Sequence, residues 1–164
     1  MDIKATIKRA KELRREDKLE ESQELLLDLL TKHPDNPLVL FEVGGSYDVL
    51  GEVLTANEFY QKALDQGLDG SDRQECLICL GINHRGLGDA ETAVSILEDA
   101  AEQFPDNHSI RAFLALAYYS DGQDDTAVQT LLDLLIKTTK DPSILDYADT
   151  LEYYKDNLDE IWEE

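Results

Sequence analysis

The stretch LICLGINHRGLGDAETAVSILEDAAEQFP, residues 77–105, decides the fold. It places Leu80-Gly81 ahead of His84, then a turn glycine at Gly88 and a small residue at Ala93. The same order recurs on either side. Val43-Gly44 leads to Tyr47, Gly51 and Ala56, and Leu114-Ala115 leads to Tyr118, Gly122 and Ala127. Taking the first position of each repeat as 3, 37, 74, 108 and 142 gives steps of 34, 37, 34 and 34. A period of this length marks stacked helix pairs, because a single pair cannot bury its apolar face without neighbours. The three extra residues fall at Leu68-Asp69-Gly70, where an inserted turn lengthens a loop at small entropic cost.

Helix punctuation agrees with this frame. Asn36 precedes Pro37 and Asp141 precedes Pro142, each a cap residue followed by proline at the first helical position. Ser71 with Gln74 forms a capping-box pattern, and Asp106 or Asn107 can cap the fourth repeat. Gly51, Gly88 and Gly122 stand where the first helix of a pair must stop and reverse; Asp17 holds that place in repeat one and specifies the turn less well. Apolar residues follow helical spacing, as in Leu25, Leu26, Leu29 and Leu30, and strand signals are absent. The spacing predicts nine helices at roughly 3–16, 18–32, 37–50, 53–67, 73–86, 90–103, 108–121, 124–138 and 143–162. Gly44, Gly81 and Ala115 let a partner helix approach closely, and Ala56, Ala93 and Ala127 do so from the other side.

With these residues in place, the chain resembles the tetratricopeptide-repeat family. Repeat three is the clearest copy, with Leu77, Leu80-Gly81, Gly88, Ala93, Leu97, Ala100 and Pro105. Repeat two has Leu68 where proline is usual, and repeat four has Leu134 where alanine is usual. Repeat one is degenerate, with Arg9 and Ser22 at normally apolar or small positions. Residues 59–137 also resemble a short bacterial subgroup, the group 5 tetratricopeptide domain, through Phe59-Tyr60-Gln61-Lys62-Ala63-Leu64, Leu80-Gly81 and Arg111-Ala112-Phe113-Leu114-Ala115-Leu116. The resemblance implies an all-α, right-handed superhelical solenoid of four helix pairs plus a C-terminal capping helix. It implies one domain over 1–164, with repeats at about 3–36, 37–73, 74–107 and 108–141 and a closing helix over 142–164. It also implies a small, non-enzymatic bacterial protein.

Composition narrows the partners. The 164 residues are 42% hydrophobic and 31% charged, a folded composition, with a net charge of −21. Docking on a phosphate backbone or an anionic membrane is disfavoured, since both rely on neutralisation by Lys and Arg. The charge is uneven: residues 1–18 carry seven basic and four acidic side chains, while residues 141–164 carry nine acids against Lys155. The start Met-Asp-Ile-Lys shows no secretory pattern, no apolar run approaches a membrane span, and Cys76 and Cys79 are the only cysteines. A cytoplasmic protein with reduced thiols is the expectation.

The resemblance carries a concave groove onto the first helix of each pair, position by position. Repeat one supplies Lys4, Ile7, Lys11, Arg14 and Arg15, with Lys8 beside them, and repeat two Leu38, Phe41, Gly45, Asp48 and Val49. Repeat three supplies Glu75, Ile78, Ile82, Arg85 and Gly86, and repeat four Ser109, Ala112, Leu116, Tyr119 and Ser120, with Phe113 nearby. A basic end and an apolar, aromatic middle suit an amphipathic helix or extended peptide bearing acidic residues. A partner's apolar side chains would lie over Phe41, Ile78, Ile82, Phe113, Leu116 and Tyr119 near Arg85, while Lys4, Lys8, Lys11, Arg14 and Arg15 would steer its acidic flanks. Three occupants stay open at this point: a partner peptide, a second copy of the chain, or the chain's own closing helix. Capture of a carboxylate tail is argued against by Glu42, Gly45, Glu75 and Cys79, which stand where Lys and Asn donors would be wanted.

Other motifs have plainer explanations. Cys76-x-x-Cys79 has no second close pair, and His84 lies eight residues from Cys76, roughly 12 Å along a helix, too far to share one ion. No metal or cofactor is expected. His33, His84 and His108 are scattered, acidic pairs arise by chance among 36 acids, and no catalytic constellation is visible. The last helix carries an apolar stripe of Ile144, Ala148, Leu151, Leu158 and Trp162, interrupted at Lys155. It is expected to cover the open end of repeat four and to project over 156–164. Tyr147, Tyr154, Leu158, Ile161 and Trp162 are then candidates for contact with a second subunit or a partner, and a structural homodimer is the competing reading.

Overall fold

The computed structural model describes residues 2–163; Met1 and Glu164, the ends of the expected domain, lie outside them. Ten helices occur among the described residues: α1 (Ile3–Arg15), α2 (Leu19–Lys32), α3 (Pro37–Val49), α4 (Val53–Asp65), α5 (Gly70–Gly86), α6 (Ala90–Gln103), α7 (His108–Ser120), α8 (Asp124–Thr138), α9 (Pro142–Leu145) and α10 (Ala148–Lys155). No strand occurs among them, so the expected all-α repeat architecture is present. The chain divides into two compact units, Met1–Cys76 and Leu77–Glu164, with the boundary inside α5.

In the N-terminal unit, α1 to α4 bury a core of Ile7, Ala10, Leu26, Leu29, Val39 and Val43. Asn36 starts α3 by accepting from the N–H groups of Leu38 and Val39 at 3.0 and 3.1 Å, which satisfies two of the helix's orphan donors. The small-residue contact is tight: a Cβ on Gly44 would lie 2.7 Å from Tyr60 Cδ1. In repeat one Ala10 and Ser22 meet instead. Ser22 is buried, and its hydroxyl donates to the Ala10 carbonyl at 2.7 Å, so this departure from the repeat pattern becomes a hydrogen bond between α1 and α2.

In the C-terminal unit the same contact is tighter still, since a Cβ on Gly81 would lie 2.5 Å from Leu97 Cγ. Leu80, Ala93, Leu97, Ala100, Ile110, Leu114 and Ala115 are buried around it. Each hairpin turn closes in one way. Lys18, Glu52, Asp89 and Gln123 donate N–H to the carbonyls of Leu13, Tyr47, His84 and Tyr118, at 2.9, 3.0, 2.9 and 2.9 Å. That closure needs a left-handed residue just before the donor. Gly51 (φ 79°), Gly88 (85°) and Gly122 (74°) supply it, and Asp17 (φ 61°) adopts the same conformation despite its side chain.

Three sequence expectations are corrected. Helix α5 begins at Gly70, not 73, so Ser71 lies inside its first turn and cannot be the cap. Leu68 is buried, and its N–H closes α4 on the Ala63 carbonyl at 3.0 Å, so only Asp69 separates that closure from α5. The single closing helix over 143–162 is instead α9 and α10, separated at Asp146-Tyr147, with residues 156–163 turn and irregular. Asp156, Asp159, Glu160 and Glu163 stand three and four apart with no cation among them. Like charges at those spacings oppose a helix, and acids at a helix C-terminus also oppose its dipole.

Lys155 does not interrupt the stripe. Its side chain is only 14% exposed, and its ammonium lies 3.4 Å from Asp133 on α8. Arg111 and Lys137 reach the same carboxylate at 2.7 and 3.0 Å. Burial alone would raise the Asp133 pKa, but hydrogen bonds from Lys137 and Arg111 outweigh it and hold the group at about 2. This charge cluster latches α10 onto α8.

Candidate functional site

On α1, positions 4, 7, 8, 11 and 15 share one helical face. In the N-terminal unit that face forms an open groove of about 410 Å³, lined by Lys4, Ile7, Lys8, Lys11 and Arg15 with Leu38 of α3 and Asp72 of α5. Ile7 is buried and Leu38 half-buried, giving an apolar floor; Lys4, Lys8 and Arg15 are exposed at the rim.

Two of the expected steering cations are already engaged. Glu42 of α3 is 3% exposed, with Lys11 Nζ 2.7 Å from Oε1 and Arg14 Nη2 3.9 Å from Oε2. Glu42 Oε1 makes no well-directed hydrogen bond, so charge more than geometry holds this cluster. Burial pushes the Glu42 carboxyl above its usual range, with Lys11 and Arg14 pulling the other way. The reading that makes Lys11 and Arg14 free to steer a ligand is therefore corrected, and Lys4, Lys8 and Arg15 are left for that role. Phe41 is also corrected: it is buried, its ring 5.8 Å from Tyr60, and it supports the surface from beneath. The hydroxyl of Tyr60 donates to Asp48 at 2.8 Å.

The C-terminal unit brings together four predicted residues. Ile82 and Arg85 of α5 and Phe113 and Leu116 of α7, with Gly81 and Leu97, line a hollow of about 70 Å³. Ile82, Leu116 and Tyr119 are 41%, 43% and 65% exposed. The Arg85 Nε–H is shared between Ser120 Oγ at 2.8 Å and the Leu116 carbonyl at 3.2 Å, which ties α5 to α7 beside the hollow. Ile78, one turn before Ile82, is half-buried.

At the C-terminus Tyr147, Ile161 and Trp162 are exposed, while Tyr154 and Leu158 are half-buried; Tyr154 meets Tyr153 edge-on at 5.4 Å. The sequence reading misses an exposed stripe of Val128, Leu131 and Leu135 on α8, although its spacing of three and four residues is helical. Cys76 is buried with its thiol 3.5 Å from the Tyr60 carbonyl. His84 Nδ1 lies 3.3 Å from Asp89 at the start of α6. Tyr118 donates to Glu98 at 2.6 Å; burial first, then Glu98, pushes its pKa up to about 12. Among the described residues no group of three or more His, Cys, Asp or Glu could hold a metal ion. No described helix is long and apolar enough to cross a membrane.

Comparison with known proteins adds a family and a fold. A family model described as Tetratrico peptide repeat matches residues 37–151. The chain is 24% identical over 147 residues to the aspartyl/asparaginyl beta-hydroxylase of Mus musculus, covering 85% of this chain and 20% of the hydroxylase. It thus spans about a fifth of the length of the curated relatives it matches. Among solved structures, residues 41 to the end of MamA from Desulfovibrio magneticus RS-1 align with TM-score 0.73 at 17% identity, covering 94% of this chain and 85% of that one. YrrB, described as a TPR protein with an unusual peptide-binding site, aligns with TM-score 0.71 at 20% identity, covering 96% and 80%. At such identities the likeness is one of fold.

Proposed function

The chain belongs to the tetratricopeptide-repeat family, a fold of protein–protein interaction, and from that premise we propose that it is a non-catalytic scaffold or regulatory adaptor that seats a short apolar peptide of a protein partner. The observation that carries this reading is the exposed trio Ile82, Leu116 and Tyr119 beside the hollow in the C-terminal unit. Three large apolar side chains left in water on two helices held by Arg85 favour a partner that covers them. A hollow of about 70 Å³ is well below the roughly 300–1,000 Å³ of small-molecule sites. It suits one branched side chain of a peptide and not a cofactor. The peptide-binding description of the structural neighbour YrrB is consistent with this use. We place the protein in the cytoplasm of a bacterium.

Covering three half-exposed side chains contributes on the order of 3 kcal/mol before ordering costs. Recovery of interactors from the native organism, compared between wild type, Ile82→Asp and Leu116→Asp, tests the reading. Loss of the same protein in both variants identifies the surface, and its peptide should then bind each variant at least tenfold more weakly by calorimetry. Interactors unchanged by both substitutions would overturn it.

A further inference from the structure

We propose that the acidic C-terminal tail of one copy, residues 156–164, docks in the basic groove of the N-terminal unit of a second copy. The groove and the tail match in two independent respects. The groove has an apolar floor of Ile7 and Leu38 and a rim of Lys4, Lys8 and Arg15. No ion pair occupies those three rim cations among the described residues, whereas most of the other basic side chains sit within 4 Å of a carboxylate. Asp72 is the one acid in the lining, and Lys11 is turned toward Glu42. The groove therefore offers net positive charge on a chain whose total is −21.

The tail offers the converse. Asp-Asn-Leu-Asp-Glu-Ile-Trp-Glu-Glu contains five acids, no base and three large apolar residues. Ile161 and Trp162 are 86% and 74% exposed, more than any other large apolar side chain described. Apolar side chains interleaved with carboxylates suit a greasy floor bordered by ammonium groups, and an indole beside Lys or Arg gains a cation–π contact. The repulsion that keeps 156–163 from continuing α10 is relieved when Lys4, Lys8 and Arg15 face those carboxylates. The volume of about 410 Å³ lies within the range of sites that enclose drug-sized groups, room for an indole and an aliphatic side chain.

Groove and tail are different surfaces, so the contact is heterologous: every copy carries one acceptor and one donor. A nine-residue tail buries less than a standard interface, and self-repulsion between two acidic bodies opposes it, so the association is weak and concentration-dependent. The site lies in the N-terminal unit and does not depend on the peptide surface at Ile82.

Trp162 is the only tryptophan, so its emission reports the tail alone. As wild-type concentration rises at physiological ionic strength, sedimentation mass should climb above the monomer while Trp162 emission shifts to the blue over the same range. Lys4→Glu/Lys8→Glu and Trp162→Ala alter exposed side chains; each alone should associate at least tenfold more weakly, with unchanged helical circular dichroism. Mixing the two should restore association, because one variant keeps the tail and the other keeps the groove, and the blue shift should return with it. Ile82→Asp should self-associate like wild type, so loss of partner recovery in that variant leaves this contact standing. A monomeric mass up to about 1 mM protein, a blue shift that survives dilution, or a mixture without rescue would each overturn the proposal.

Discussion

Glu42 in the N-terminal unit and Asp133 in the C-terminal unit are both carboxylates held by cations from neighbouring helices, yet their surroundings drive them in opposite directions. Glu42 is almost wholly buried and faces Lys11 and Arg14 without a well-directed hydrogen bond, so desolvation wins and its pKa rises. Asp133 is less enclosed, its side chain 19% exposed against 3% for Glu42, and has three cations at 2.7, 3.0 and 3.4 Å, so it is held at about 2. Depth of burial and the number and direction of the partners together decide whether an internal acid is ionised.

The largest expected effect is on Asp133. Asp133→Ala strands Arg111 without its counter-charge and leaves Lys155 with Glu152 alone, and should cost about 2–3 kcal/mol, read as a lower denaturant midpoint. Hydrogen exchange in 148–155 should rise before that of α7, because α10 depends on the latch. Exchange that rises uniformly would show that Asp133 serves the whole unit instead.

An intermediate effect separates the first hairpin turn from the later ones. Asp17 is left-handed where Gly88 and Gly122 serve elsewhere. Asp17→Gly should stabilise by about 1 kcal/mol, and Gly88→Asp should destabilise by a similar amount. Thermal unfolding should then move by a few degrees, up in the first variant and down in the second.

Glu42→Gln should change stability at neutral pH by less than about 1 kcal/mol, since the native fold already disfavours the charge it removes. Its pH dependence is the sharper test. A carboxyl raised in the fold contributes stability below its unfolded value of 4.5 and loses it as pH rises through the folded pKa. Asp133 contributes stability above its unfolded value of 3.8 that is lost as pH falls through about 2. Relative to wild type, Glu42→Gln should therefore become more favourable as pH rises from 4.5, while Asp133→Asn becomes less costly as pH falls below 3.8. Matching slopes in urea melts across pH 3 to 8 would erase the contrast.

The repeat frame was legible because it is written in local chemistry. Gly51, Gly88 and Gly122 mark turns, Asn36-Pro37 and Asp141-Pro142 mark helix starts, and Gly44 and Gly81 mark close approaches whose contacts the structure bears out. What escaped depends on residues distant in sequence. Lys155 reads as a fault in an apolar stripe until Asp133, 22 positions earlier, is seen beneath it. Glu42 reads as a repellent for ligands until Lys11 and Arg14 are found turned toward it. Repeat position puts Phe41 on the surface, but it is buried against the Tyr60 ring on the facing helix. The break before 156 was readable in principle: its like charges at three- and four-residue spacing outweigh the apolar stripe that suggested a longer helix.

The common hairpin closure has a consequence for how such a chain can change size. Because Lys18, Glu52, Asp89 and Gln123 all complete the same backbone ring, and repeat starts recur at 34 residues except between repeats two and three, a duplicated block from 108 to 141, which starts with α7 and ends on the Asp141 cap, would meet its flanks with matching ends. Growth or loss by whole blocks leaves every junction unaltered, whereas gain or loss of part of a block throws helices out of phase. Length here is quantised, and recombination between copies is the natural way to step it.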